Sequence, residues 1–224
     1  MEVEMPKVTE EYIQNKKKMI VDAAYQLCLE KTVSTVTMQD IINKTGLSQG
    51  GIYRFYRDID EIFRDMLMEL RKHANLKEKI DEIFSRSENL ETEEMVNQIF
   101  GLLAEFMSKE LMGIEKVDFE LSVLAMNAPQ RVEKILGEIE EVGNKEYLML
   151  RTSQHFKQKI KEGKLHPRVS GEELLTFITA SYTGIQMSCI VNCCYKQMPM
   201  GQWYDPKIQF MTLAKTVNYL LGSE

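Results

Sequence analysis

Cysteine is scarce in this sequence and poorly distributed for a disulfide framework. There are four in 224 residues, with Cys189, Cys193 and Cys194 inside six positions and Cys28 far upstream. That usage fits a reduced, cytoplasmic setting. Cys189 and Cys193 share a helix face, which leaves a redox or metal sensor open beside inert buried thiols. The three histidines (His73, His155, His166) are far from them and from one another, so no metal-ligand spacing is present. Proline is limited to five positions, all at breaks between apolar-periodic segments. No strand-like alternation, repeat or low-complexity tract is found. Met1 to Thr9 lacks the apolar run of a signal peptide. There is no nucleophile elbow, glycine loop for phosphate or paired-ligand cluster, so no catalytic residue, metal or cofactor is expected, and the chain reads as no enzyme. Positive charge is also short overall. Lys and Arg number 28 against 34 acids, a net charge of −6, which taken whole speaks against a protein that coats nucleic acid.

That charge is not spread evenly. Residues 12–57 hold seven Lys or Arg against three acids, a net +4, whereas residues 1–11 carry −3 and residues 58–224 carry −7. A binding footprint is local, so a basic segment on an acidic body keeps a polyanion partner open. Hydrophobic residues make up 44% and charged residues 28%, an ordinary globular composition. One run, Leu174 to Tyr195, has 22 residues without a charge, the length of a membrane span. Seven of them are Thr, Ser, Gln or Asn scattered round the helix, so a helix buried between protein surfaces is expected, with no membrane partner.

The periodicity is helical throughout. Nine helices are expected, at about 10–30, 38–45, 48–55, 58–84, 91–110, 115–127, 129–162, 171–197 and 206–221. The first carries Ile20, Ala24 and Leu27 on one stripe, and the fourth carries Phe63, Met66, Leu67, Leu70 and Ala74. Asp58 with Glu61 three residues on resembles a capping-box start. Pro129 and Pro206 suit first helical positions, and Gly163 suits the residue past a helix end. The fold class is all-α, with a compact helical trio at the front and a larger bundle behind.

Residues 37–56, TMQDIINKTGLSQGGIYRFY, are the most informative stretch. Thr37 and Asp40 open a short helix whose Ile41 and Ile42 need a core. Thr45-Gly46-Leu47 makes a tight turn, and Ser48 is a natural N-cap for a second short helix beginning Gln49-Gly50-Gly51. Two short helices joined by a glycine-containing turn form a helix-turn-helix. In DNA recognition the second helix enters the major groove by its N-terminal end. Gly50 and Gly51 would let the backbone approach base edges, Gln49 can pair with adenine, and Tyr53 and Arg54 can reach phosphates.

On these residues the chain resembles the TetR family of bacterial transcriptional repressors. The resemblance runs over Thr37, Ile41, Gly46-Leu47-Ser48, Gly50, Ile52-Tyr53, Phe55-Tyr56 and Asp58-Ile59-Asp60-Glu61-Ile62. Ile20-Val21-Asp22-Ala23-Ala24 upstream and Glu162-Gly163-Lys164-Leu165 downstream are also similar to family segments. It implies a helix-turn-helix domain over residues 1–57 and a ligand-binding and dimerisation domain over 58–224. It further implies DNA contacts from Thr37, Gln39, Lys44, Ser48, Gln49, Gly50, Gly51, Tyr53, Arg54 and Arg57. The pattern departs from the family in three places. Ile59 stands where a phosphate-contacting Lys is usual, and Ile42 stands where Ala is usual. Phe55-Tyr56 inverts the usual Tyr or His followed by Phe, so Phe55 offers no hydroxyl. Arg54, Arg57, Lys44 and the Lys16-Lys17-Lys18 run are the expected replacements, a solvated helix start being the other reading of that run.

The resemblance also implies a homodimer on a palindromic double-stranded operator and an unidentified small-molecule effector. Ala180, Gly184 and Ser188, four apart, form a small-residue stripe that would let another helix approach. With Phe210, Leu213 and Val217 of the last helix they form the expected dimer surface, packing inside one subunit being the alternative. Fifteen methionines is a high count, and methionine adapts to irregular apolar shapes. Met66, Phe106, Phe119, Tyr147, Phe177 and Tyr182 are the expected lining of an apolar or amphipathic pocket, with plain core packing the alternative. Glu105 and Glu120 are the acids placed to answer a cationic ligand, unless they face water. The expectation is a ligand-responsive repressor. A helical protein–protein adaptor without DNA binding is the competing reading.

Overall fold

The computed structural model describes residues 9–86, 90–195 and 205–222. The all-α expectation holds, and no strand occurs among the described residues. The helices are α1 (Glu10–Glu30), α2 (Met38–Thr45), α3 (Gln49–Tyr53), α4 (Ile59–His73), α5 (Lys77–Ser85) and α6 (Thr92–Glu110). They continue as α7 (Lys116–Asn127), α8 (Pro129–Leu136), α9 (Asn144–Lys161), α10 (Gly171–Cys194) and α11 (Pro206–Leu221). A short 3₁₀ turn, Val33–Thr35, precedes α2, and a wide π-type turn, Leu111–Glu115, joins α6 to α7.

Two expected helices are each broken. The helix placed at 58–84 stops at His73 and restarts at Lys77. The Asn75 side chain accepts from Lys77 N at 2.8 Å, a local bond that opens a new helix. Asn144 then spans the gap, donating to the Ala74 carbonyl at 2.6 Å and accepting from Leu76 N at 3.0 Å. The helix placed at 129–162 is likewise interrupted between Leu136 and Asn144, a stretch bracketed by Gly137 and Gly143. Periodicity survives such breaks because the apolar stripe resumes in phase, so it could not reveal them.

The described chain forms two compact units. Of the described residues, one unit comprises those from 9 to 72 together with 120–140, and the other those within 73–119 and 141–222. In the first unit α1 contributes Ile20, Ala24 and Leu27 to the core, with Ile41, Ile52 and Phe63 from α2, α3 and α4. The 3₁₀ turn is pinned by Glu120, whose carboxylate accepts from Val33 N at 2.6 Å. Helix α8 is tied to the start of α4 by charge. Arg131 lies 2.8 Å from Asp60, which is buried, and Lys134 lies 2.5 Å from Asp58. Arg64 reaches the Lys134 carbonyl at 2.7 Å and pairs with Glu138.

In the second unit α11 packs along α6, burying Phe210, Leu213, Ala214 and Val217. Fully burying an aliphatic or aromatic side chain contributes roughly 1.5–3 kcal/mol, so this seam dominates the unit. Helix α10 starts on a Ser170/Glu173 capping box. Only 22% of its most apolar window is buried, at a mean hydropathy of 1.4. It is the one described helix long and apolar enough to cross a membrane by length and composition.

Candidate functional site

The front of the first unit is built from local bonds that the sequence prescribes. Thr37 caps α2, accepting from Asp40 N at 3.2 Å, while Asp40 accepts from Thr37 N at 2.7 Å. Lys31 adds a second partner to Asp40 at 2.5 Å. The bond from Lys31, then those from Thr37, lower the Asp40 carboxyl to about 2, so this cap stays ionised through ordinary acid. Helix α2 ends on Gly46, whose φ of +69° is the left-handed conformation a side chain resists. Ser48 then caps α3, accepting from Gly51 N at 3.1 Å. Ile41 and Ile52, one from each helix, are both fully buried and fix the turn against the core.

This leaves Gln39, Ser48, Gln49, Gly50, Tyr53, Arg54 and Arg57 exposed. Gly50 is informative because a Cβ built there would meet nothing within 4 Å. The chain's own packing therefore does not require glycine, although glycine weakens a helix by about 1 kcal/mol relative to alanine. Gly51 is half-buried, and a Cβ there would lie 3.2 Å from the Ser48 capping oxygen.

Beyond α3 lies a cleft of about 460 Å³ lined by Tyr53, Arg54, Phe55, Tyr56, Arg57, Glu61, Arg64 and Glu138. Among the described residues no ion pair engages the Arg54 or Arg57 guanidinium. Two unpaired cations beside a phenol make an anion-receptive edge.

Three of the other expected cations, Lys44, Lys17 and Lys16, have partners within the chain. Lys44 pairs with Glu30 at 2.7 Å. Lys17 lies 3.6 Å from Asp65 and 5.0 Å from the centre of the Tyr56 ring. Lys16 lies over Tyr12 at 5.7 Å. Tyr56 explains the position of Lys17. With the aromatic pair inverted, its hydroxyl points inward, and it donates to Asp65 at 2.7 Å from a buried ring. Asp65 and Lys17 are thus the compensation for a phenol where an apolar ring is usual. Sequence reading missed this, since a polar partner nine residues on carries no motif.

Residues 20–66 match the family model described as bacterial regulatory proteins, tetR family. Over this segment, about a fifth of the chain, the protein is similar to the tetR family of bacterial regulatory proteins. Among curated proteins it is 25% identical over 126 residues to the uncharacterized HTH-type transcriptional regulator YfiR of Bacillus subtilis (strain 168). That alignment covers 56% of this chain and 59% of the relative's length, so the chain spans less than two thirds of it. The fold is shared with Salmonella enterica GusR at a TM-score of 0.60 and 14% identity, over 97% of this chain and 100% of that one. It is also shared with Thermus thermophilus FadR, a TetR family transcriptional repressor solved with lauroyl-CoA. There the TM-score is 0.51 at 16% identity, over 90% of this chain and 92% of that one.

The residues expected to line a pocket are divided between the two compact units. Met66 is fully buried in the first compact unit, whereas the other five belong to the second. Phe106 is buried, Phe119 half-buried and Phe177 exposed. Tyr147 donates to Asp81 at 2.7 Å, while Tyr182 donates to a different acid, Glu115, at 3.1 Å. Glu105 is exposed beside Lys79, and Glu120 is committed to Val33. The acid that matters in the second unit is Glu115. It is 1% exposed in the wide turn after α6, where Gly113 departs from helical geometry with ψ −116°. Sequence reading did not single it out, although the glycine two residues upstream was a visible signal of a break.

On the expected dimer surface, Ala180 and Gly184 are exposed and Ser188 is half-buried. Phe210, Leu213 and Val217 are instead buried within the chain, because α11 turns that face toward α6. The exposed residues of α11 include Ile208 and Tyr219. Of the thiols, Cys28 and Cys189 are buried, Cys193 is exposed and Cys194 is half-exposed. Burial pushes the Cys189 thiol up to about 11, which makes it a poor nucleophile. No group of residues able to hold a metal occurs among the described residues.

Proposed function

We propose that this protein is a DNA-binding transcriptional repressor. It acts as a homodimer on a palindromic operator and is released by a small apolar or amphipathic effector. The observation that carries the reading is the exposed end of α3. Gln49 and an externally unhindered Gly50 lead the helix, and Tyr53 flanks it with Arg54 and Arg57, whose guanidiniums meet no acid in an ion pair among the described residues. Gln49 and Gly50 are assigned to base edges. Thr37, Gln39, Ser48 and Gly51 shape and extend that edge, and Tyr53, Arg54 and Arg57 hold phosphates. Lys44 joins them by leaving Glu30. In role, residues 1–57 read DNA, while residues 58–224 bind the effector and the second subunit. A cytoplasmic location follows from the partner.

A single reading head buries too little surface for a tight specific site, so a second copy is required. Helix α10 supports this reading. Phe177 and Met187 are exposed on it, on the same side as Ala180 and Gly184, and a Cβ at Gly184 would meet nothing within 4 Å. A large apolar helix face left open is the usual mark of an interface. The lauroyl-CoA held by the FadR neighbour lends support to an amphipathic effector. An effector that binds a conformation with misplaced reading heads would shift the population away from DNA.

The test is footprinting on the DNA flanking the protein's own gene. Protection of an inverted repeat, lost on adding effector, is the expected result. Absence of binding to duplex DNA at about 50 mM salt would instead favour the adaptor reading, since phosphate contacts are strongest at low salt.

A further inference from the structure

The buried Glu115 carboxylate has an unusual set of neighbours. Gln186 donates to its Oε2 at 2.6 Å, and Tyr182 donates to its Oε1 at 3.1 Å. The Lys145 ammonium lies 4.0 Å from Oε2, outside hydrogen-bond reach, and 4.8 Å from the centre of the Tyr182 ring. Lys145 belongs to the first turn of α9, and its side chain is 40% exposed where that of Glu115 is 2% exposed. A carboxylate and an aromatic face converging on one point form a recognition site for a positive charge. Here the positive charge present is the chain's own, loosely held and able to swing into water. Burial pushes the Glu115 carboxyl up against the pull of Lys145, a sign that this pairing is incomplete. Phe210, 5.7 Å from Tyr182 centre to centre, backs the ring and keeps it in place.

We infer that the corner formed by Glu115, Tyr182 and Gln186 is a binding site for an organic cation, an ammonium group on an apolar body, and that Lys145 occupies it when no such molecule is bound. The incoming ammonium takes the place of Lys145 over the Tyr182 ring and against Glu115, and Lys145 moves to solvent. The net −7 of residues 58–224 favours arrival of cations over anions. This deepens the effector-released reading by naming the effector's charge. It is tested without DNA, so failure of the repressor reading would not be mistaken for failure of the site.

The experiment is isothermal titration calorimetry of the full chain with benzyltrimethylammonium, and with benzyl alcohol as a neutral counterpart. Lys145→Met keeps the apolar stem and removes the internal competitor, so the cation should bind about tenfold more tightly. Glu115→Gln preserves size, removes the charge and keeps one accepting oxygen, and should weaken it at least tenfold. Tyr182→Leu, which removes the ring and leaves the acid, should also weaken it, and it serves if Glu115→Gln fails to fold. The inference is overturned if benzyl alcohol binds as well as the cation. It is equally overturned if Lys145→Met binds the cation no better than the unaltered chain does.

Discussion

Exchanging the inverted aromatic pair separates two roles that the family places on one side each. Tyr56 is 2% exposed and its hydroxyl is 2.7 Å from Asp65, whereas Phe55 is half-buried on the cleft shared with Arg54 and Arg57. Tyr56→Phe deletes a hydrogen bond to a charged acceptor, worth roughly 1.5–3 kcal/mol in full. The Asp65 side chain is 28% exposed and keeps Lys17 at 3.6 Å, so water and the lysine recover part of it. The expected net loss is about 1–2 kcal/mol. With a urea slope of about 2 kcal/mol/M, the unfolding midpoint should fall by roughly 0.5–1 M. Phe55→Tyr alone should leave the midpoint unchanged while placing a hydroxyl on the anion-receptive edge, which should tighten duplex binding roughly threefold to tenfold. The double exchange should show both effects, less stable and tighter on DNA. The alkaline limb supplies a second readout. Burial first, then the bond to Asp65, raise the Tyr56 phenol above its ordinary value. The folded chain therefore holds this proton after the unfolded chain releases it. Stability from this group is complete below about pH 10 and declines above it, and Tyr56→Phe should remove that share of the decline. A Tyr56→Phe midpoint equal to or above that of the unaltered chain would refute the reasoning.

Other perturbations test other parts of the fold. Glu30→Gln releases Lys44 from its 2.7 Å partner, so the salt dependence of DNA binding should steepen by about one counterion. An unchanged slope in a fluorescence titration would remove Lys44 from the interface. Arg131→Met leaves the buried Asp60 with only Lys134 at 3.5 Å and should cost about 2 kcal/mol by urea unfolding, between the ranges for buried and exposed pairs. Gly46→Ala meets no neighbouring atom but forces a side chain into φ +69°, so about 1–2 kcal/mol should be lost through the backbone alone. A neutral result in thermal unfolding would show that the turn relaxes.

What could be read from the sequence was whatever depends on close neighbours. The Thr37 and Ser48 caps, the Gly46 turn and the stripe of α1 all rest on partners within a few residues, and each stands where it was expected. The breaks after His73 and Leu136 were hidden. One is held open by Asn144, 68 residues beyond Leu76, and neither disturbs the apolar period. The same limit applies to charge. Lys44 and Lys17 counted as free because the acids that engage them, Glu30 and Asp65, become neighbours only when helices pack. Phe210, Leu213 and Val217 form a true apolar stripe, but a stripe does not say whether it meets its own chain or another. Glu115 escaped because one acid in an apolar stretch looks like a surface residue until its burial is seen.

The first compact unit is discontinuous in sequence, and this bears on how the protein is made. As the chain leaves the ribosome, residues 1–72 emerge first, yet Val33 N, Asp58 and Asp60 find their partners only in Glu120, Lys134 and Arg131. Synthesis must proceed more than sixty residues past α4 before the unit can close. During that interval the helix-turn-helix is present but unclamped, and the buried position of Asp60 has no countercharge. A fragment ending near residue 72 would reproduce that nascent state and not the finished unit. Completion of the first unit is thereby delayed until residues 120–140 have been translated.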